Sequence, residues 1–134
     1  YNFLIIHSRR TNKKLIKELH NNLKDIAILW NEKDINPYGF ALKNSSFFIV
    51  SSDSTSMISE CAYTANPIYV FHLPKKRKSK RIDRFHVEFE KLGITRKLIF
   101  ENKLSFWTYD SLNESKRIAS IVKERIIKDL YESK

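Results

Sequence analysis

"FFIVSSDSTSMISECAYTANPIYVF", residues 47–71, is the stretch on which the reading of this chain turns. Phe47–Val50 is a short apolar run rich in aromatic and β-branched residues, the composition of a strand. A nest of hydroxyls with one acid, Ser51 to Ser56, breaks that run. Met57, Ile58, Cys61, Ala62 and Ala65 then recur at helical spacing and define one apolar arc over residues 54–65. Ile68–Phe71 is strand-like again. Strand, helix and strand in so short a span predict a βαβ unit, and therefore parallel strands.

The same alternation runs outward in both directions. Phe3–Ile6 is a continuous apolar run, the pattern of a strand buried on both faces. Leu15, Leu19 and Leu23 mark an amphipathic helix, and residues 25–30 a second strand. Asn36-Pro37-Tyr38-Gly39 punctuates, and Phe40–Leu42 predicts a short helix. On the carboxyl side, Arg84 to Leu92 reads as a helix stopped by Gly93. Leu98-Ile99-Phe100 reads as a fifth, weaker strand. Leu112 to Tyr131 reads as a long helix, with Ile118, Ile121, Val122, Ile126 and Leu130 along one face. The expected fold class is α/β: a three-layer, Rossmann-like domain with a mainly parallel sheet, spanning residues 1–134 as one domain.

In such sheets ligands gather beyond the carboxyl ends of the strands. The residues there are His7 to Thr11, Trp30-Asn31, Ser51 to Ser54 and His72-Leu73-Pro74, nearly all polar or basic. Asp53 or Ser54 suits a helix N-cap, and the first helical turn offers amides without an intrahelical partner. Such a terminus favours anions, and Ser54, Thr55 and Ser56 add hydroxyl donors. Glu60 lies two turns in, beside the apolar arc, where a carboxylate suits the paired hydroxyls of a ribose. The same residues also suit an ordinary cap and an exposed helix surface, and Asp53 would repel a phosphate at the cap.

The segment "VSSDSTSMISECAYTANPIYVFHL", residues 50–73, closely resembles the signature of the mitochondrial fission (elongated-mitochondria) protein family. "HSRRT", "NPYGFAL", "RFHVEFEKLGITR" and "YDSLNES" agree with it in order. The resemblance covers nearly the whole chain as that family's C-terminal half. Ala65-Asn66-Pro67 stands where the pattern usually has Thr-Gly-Lys-Pro, so the turn there should change slightly. The family looks like a glycosyltransferase of the GT-B type. The resemblance therefore implies a fragment of a longer two-domain protein, carrying the half that binds a nucleoside-diphosphate sugar. An N-terminal domain outside this chain would bring the acceptor and any catalytic base, and the fragment alone would be inactive. By similarity to the lipid-linked N-acetylglucosamine transferase of cell-wall synthesis, Glu60 would hold the ribose and Ser54 to Ser56 the diphosphate. The resemblance also allows a different outcome, a GT-B-shaped interaction module without catalysis, since plant fission members recruit division machinery.

Ser8-Arg9-Arg10-Thr11 follows the first strand. The chain has only two glycines, Gly39 and Gly93, and no GxGxxG. A bare-backbone phosphate cradle is thus not expected there, whereas an arginine fork can take its place. Ser8, Arg9, Arg10, Ser52, Ser54, Ser56 and Glu60 form the expected binding set, with Arg9 preferred over Arg10. No metal is expected in the site and no cofactor, because guanidinium and helix amides can neutralise a diphosphate.

Lys75 to Arg81 holds six cations in seven residues, a block that repels itself and reads as a solvated loop. It would steer anions or touch an anionic membrane surface; nucleic acid is the least expected partner, since no aromatics interleave it. The formal net charge of +10 likewise predicts an anionic partner. The four histidines show no HxxxH spacing, and no hydrolase elbow or P-loop is present. His86 reads as a satisfied structural group, and Trp107, Tyr109 and Leu112 as packing residues. The single cysteine, Cys61, excludes an internal disulfide and reads as a buried thiol. A reducing, cytoplasmic setting is expected, with peripheral membrane contact through the basic run.

Overall fold

A computed structural model describes residues 2–8, 11–74, 79–100 and 103–132. The chain forms two compact units, Tyr1–Ser45 and Ser46–Lys134. Both alternate parallel strands with helices, so the fold is α/β and Rossmann-like.

In the first unit β1 (Phe3–Ile5), α1 (Lys13–Leu23), β2 (Ala27–Leu29) and α2 (Tyr38–Asn44) follow one another. β1 and β2 pair in parallel, with Leu4 opposite Ile28. Asn12 caps α1, its side-chain oxygen accepting from the Lys14 amide at 2.8 Å. The apolar run of β1 predicts burial on both faces, yet Phe3 is 46 % exposed, and no described residue of this unit is fully buried. A two-stranded pair offers too little surface within its own unit to cover both faces of either strand.

The second unit holds the core. Its order is β3 (Phe48–Ser51), α3 (Thr55–Ala62), β4 (Ile68–Phe71), α4 (Lys80–Lys91), β5 (Thr95–Lys97) and α5 (Glu114–Glu132). The three strands form one parallel sheet in the order β3-β4-β5, with Val50 opposite Val70 and Val70 opposite Lys97. Phe48, Val50, Ile68, Tyr69 and Val70 from the sheet pack with Ile58, Cys61 and Ala62 of α3 and Phe89 of α4. Ile58, Ala62 and Ile68 are completely buried, which removes apolar area from water at about 25 cal/mol per Å².

α3 ends earlier than its periodicity predicts. The Tyr63 and Thr64 amides bond the Glu60 and Cys61 carbonyls, tightening the last turn, and Ala65 takes φ +60. The Asn66 amide donates to Thr64 Oγ1 at 3.2 Å, and buried Pro67 opens β4. The turn is therefore kept without glycine, with an alanine in the left-handed region, where a Cβ costs about 1–2 kcal/mol.

α4 begins one turn before its expected start, because Ser79 is the N-cap and its Oγ accepts from the Ile82 amide at 3.4 Å. Its end is a Schellman motif. Gly93 at φ +70 bonds the Glu90 carbonyl, and the Ile94 amide reaches back to Phe89. Gly93 thus sits just past the C-cap, Leu92. β5 falls on Thr95–Lys97 rather than on the apolar Leu98–Phe100. The register against β4 sets its place, and an outermost strand tolerates Arg96 and Lys97 because their side chains reach water.

Residues 109–112 lie over the end of α3. Tyr109 Oη donates to the Asn66 carbonyl at 2.7 Å, Ser111 Oγ to Tyr63 at 2.6 Å, and the Leu112 amide to Ala62 at 3.2 Å. Tyr109 and Trp107 do pack as expected, Trp107 standing edge-on to Tyr69 with ring centroids 5.1 Å apart. α5 has the predicted apolar stripe, but Ile118, Val122, Ile126 and Leu130 are all exposed.

Burial pushes the Cys61 thiol up to about 12, the Glu60 carboxylate adding to the effect. Burial likewise pushes the Tyr109 phenol up to about 12, with Cys61 contributing. Both groups hold their protons more tightly folded than unfolded. The unfolded chain releases protons first as pH rises from about 9, so stability falls between about pH 9 and 12. Urea melts across that range should show the decline, and it should be shallower in Tyr109→Phe. A second expectation concerns the turn: Ala65→Gly should stabilise the protein by roughly 1 kcal/mol, seen as a higher denaturant midpoint at unchanged m-value.

Candidate functional site

Parallel strands end together, and in the second unit the carboxyl ends of β3 and β4 open into a cleft of about 570 Å³. Ser52 and Asp53 enter it from the end of β3, His72, Leu73 and Pro74 from the end of β4. Ser79, Ile82, Asp83, His86, Val87 and Glu90 complete it as one stripe along α4, at spacings of three and four.

Ser52 joins the three elements. Its amide continues the sheet by donating to the Phe71 carbonyl at 2.9 Å. Its Oγ accepts from the Leu73 amide at 3.1 Å, and its carbonyl accepts from His86 Nε2 at 2.8 Å. A carbonyl only accepts, so Nε2 carries a proton and is the donor. Nδ1 is buried and, among the described residues, has no hydrogen-bond partner. His86 is therefore the structural group its sequence setting predicts, with only Nε2 satisfied.

The cleft is rich in acceptors. Asp53, Asp83 and Glu90 bring three carboxylates, against the imidazoles of His72 and His86. His72 Nε2 lies 3.8 Å from Glu90 Oε1, and its ring stands edge-on to His86 at 5.2 Å. Asp53 is exposed, and its Oδ1 accepts from Ser51 Oγ at 2.7 Å, so this carboxylate is held on β3 rather than on the helix that follows. Among the described residues no group of three His, Cys, Asp or Glu is arranged to hold a metal ion.

Of the expected binding residues, Ser52 lines the cleft. Ser54 stands at the N-cap of α3, half-buried, 3.5 Å from Ser51 Oγ, and its side chain makes no capping bond. α1 and α4 are capped by side chains, whereas among the described residues the amides of Thr55, Ser56 and Met57 have no acceptor. Ser56 and Glu60 are exposed and, four residues apart, lie on one face of α3. Neither lines the described cleft. Ser8 belongs to the first unit, in a turn closed by the Thr11 amide donating to the Ser8 carbonyl at 2.9 Å and the Ser8 amide to Thr11 Oγ1 at 3.1 Å. Arg9, Arg10 and Lys75 to Lys78 lie outside the described residues. Lys80 and Arg81, the rest of the basic run, are exposed in the first turn of α4.

At the ends of the first unit's strands, the His7 side chain is only 5 % exposed. Its Nδ1 faces Glu32 at 3.8 Å, and its ring packs 5.1 Å from Trp30. Sequence reasoning missed the α4 side of the cleft: Ser79, Asp83 and Glu90. The signal was present as a polar stripe at helical spacing, but the helix was expected to start at Arg84, after two of those residues.

A family model described as Mitochondrial fission ELM1 matches residues 1–126. The chain is 29 % identical over 118 residues to a protein named Mitochondrial fission protein ELM1 from Arabidopsis thaliana, covering 87 % of this chain and 27 % of that protein. It is 32 % identical over 130 residues to an uncharacterized protein of Rickettsia prowazekii (strain Madrid E), covering 90 % of this chain and 35 % of that protein. The chain thus spans about a third of the length of these curated relatives. No solved structure matches it.

Removing the His86 imidazole leaves the Ser52 carbonyl without its side-chain donor in a half-buried position. His86→Leu should cost about 1–3 kcal/mol in chemical unfolding, while His72→Leu, on the partly exposed side of the cleft, should cost less than 1.

Proposed function

This chain belongs to the Mitochondrial fission ELM1 family, and from that premise we propose that its second unit holds a nucleoside-diphosphate sugar, as the donor half of a GT-B-like glycosyltransferase. The observation that carries the reading is the start of α3. Three first-turn amides have no acceptor among the described residues, and Ser56 and Glu60 stand exposed on one face of that helix. Unpaired amides at a helix start favour an anion, here the diphosphate. The hydroxyls of Ser54 and Ser56 donate to its oxygens.

Glu60 accepts from the two ribose hydroxyls, a role that suits a carboxylate free of any described cation. The sugar lies toward the cleft. Three carboxylates disfavour phosphate there but accept well from sugar hydroxyls, so Asp53, Asp83 and Glu90 match a polyhydroxylated, uncharged group. The division of labour is electrostatic: the anionic part of the donor at the helix amides, the hydroxyl-rich part among carboxylates. Acceptor and catalytic base come from outside this chain.

Calorimetric titration of the protein with a panel of nucleoside diphosphates and their sugar conjugates tests the reading. One conjugate should bind, and Glu60→Ala should weaken it at least about tenfold with the unfolding midpoint unchanged. Unchanged affinity in that variant would remove Glu60 from the site, and no binding across the panel would remove the donor itself.

A further inference from the structure

A second groove of the same unit has the opposite electrostatics. It holds about 290 Å³ and is lined by Tyr69, Arg96, Lys97, Ile99, Lys103 and Ser105, sharing no residue with the cleft. Among the described residues three cations line it and no carboxylate does. Among the described residues none of the three has an ion-pair partner, although like charges gathered this way repel.

Arg96 is also held in place rather than left to wander. Its guanidinium lies over the Trp107 ring, 4.3 Å from the centroid, and Nη1 donates to Ser105 Oγ at 3.4 Å. Trp107 is itself anchored, Nε1 donating to the Gly93 carbonyl at 2.8 Å, the carbonyl presented by the Schellman turn of α4. Ser105 is fixed by its amide donating to Tyr69 Oη at 2.8 Å. The side chain is thus stacked and hydrogen-bonded, while most of its five donors have no acceptor among the described residues. A stacked arginine with unused donors, flanked by two lysines and beside serine and tyrosine hydroxyls, matches a compact, doubly charged oxyanion.

We propose that this groove binds a phosphate monoester, carried either by a small molecule or by a lipid headgroup. It is a separate site from the donor site above and stands or falls without it.

The test titrates the purified chain with inorganic phosphate, following backbone and Trp107 indole resonances by NMR against chloride at matched ionic strength. Saturable shifts confined to residues 96–107 are expected. They should weaken at least about tenfold in Arg96→Gln and in the double variant Lys97→Gln/Lys103→Gln. The double variant leaves the Trp107 stack untouched, so its loss cannot be ascribed to misfolding. Glu60→Ala should leave the shifts unchanged. A second arm measures sedimentation with vesicles of phosphatidylcholine with and without phosphatidic acid. Retention on phosphatidic acid that the lysine variant abolishes assigns a lipid carrier; phosphate binding without retention assigns a soluble ester. Shifts no larger than those with chloride, or indifferent to both variants, overturn the proposal.

Discussion

Ser52 is the residue on which the geometry of the second unit depends. It follows the last residue of β3, yet its amide extends the sheet toward β4, its hydroxyl receives the chain leaving β4, and its carbonyl receives α4 through His86. Three elements meet at one residue because each of its polar atoms has a different partner. Leaving a buried or half-buried backbone group unpaired is costly, so satisfying these three fixes the separation of the strand ends and the tilt of α4 against them. The cleft is the space left by that arrangement. Its acceptor-rich wall follows from which face of α4 the His86 bond turns inward.

Charge is distributed unevenly on this strongly basic chain. The cleft collects carboxylates, while the β5 edge collects cations, of which Arg96 is stacked on an indole. A net charge of +10 describes neither place. The excess predicts attraction to anions in general, but local pairing decides where an anion can rest. At the start of α3 the Ser54 side chain makes no capping bond, and Asp53, which sequence reasoning sets against a phosphate, is turned back onto Ser51.

Much of the fold was legible because its signals are local. Continuous apolar runs bounded by turns gave the positions of β1 to β4, and the arc of Ile58, Cys61 and Ala62 named the buried face of α3. The errors lie where long-range contacts overrule local preference. β5 occupies Thr95–Lys97 because register with β4 outranks the more apolar Leu98–Phe100. Ala65 adopts a glycine conformation because Pro67 and the start of β4 hold the turn from outside. α5 has a clear apolar stripe, but periodicity reports that a face exists and not that it is covered.

The candidate site divides along the same line. Residues at strand ends and helix starts, Ser52, Ser54 and Ser56, can be found from spacing alone, because chain geometry puts them there whatever else happens. Ser79, Asp83 and Glu90 could not, since they reach the cleft only through the packing of α4 against the sheet. Nor could pattern show that Arg96 would lie on Trp107, eleven residues on, since the two meet only because Trp107 is anchored to the turn after α4. Covalent neighbours and helical periodicity are properties of the chain; which side chains face one another across a groove is a property of packing, and packing is settled by the whole unit at once.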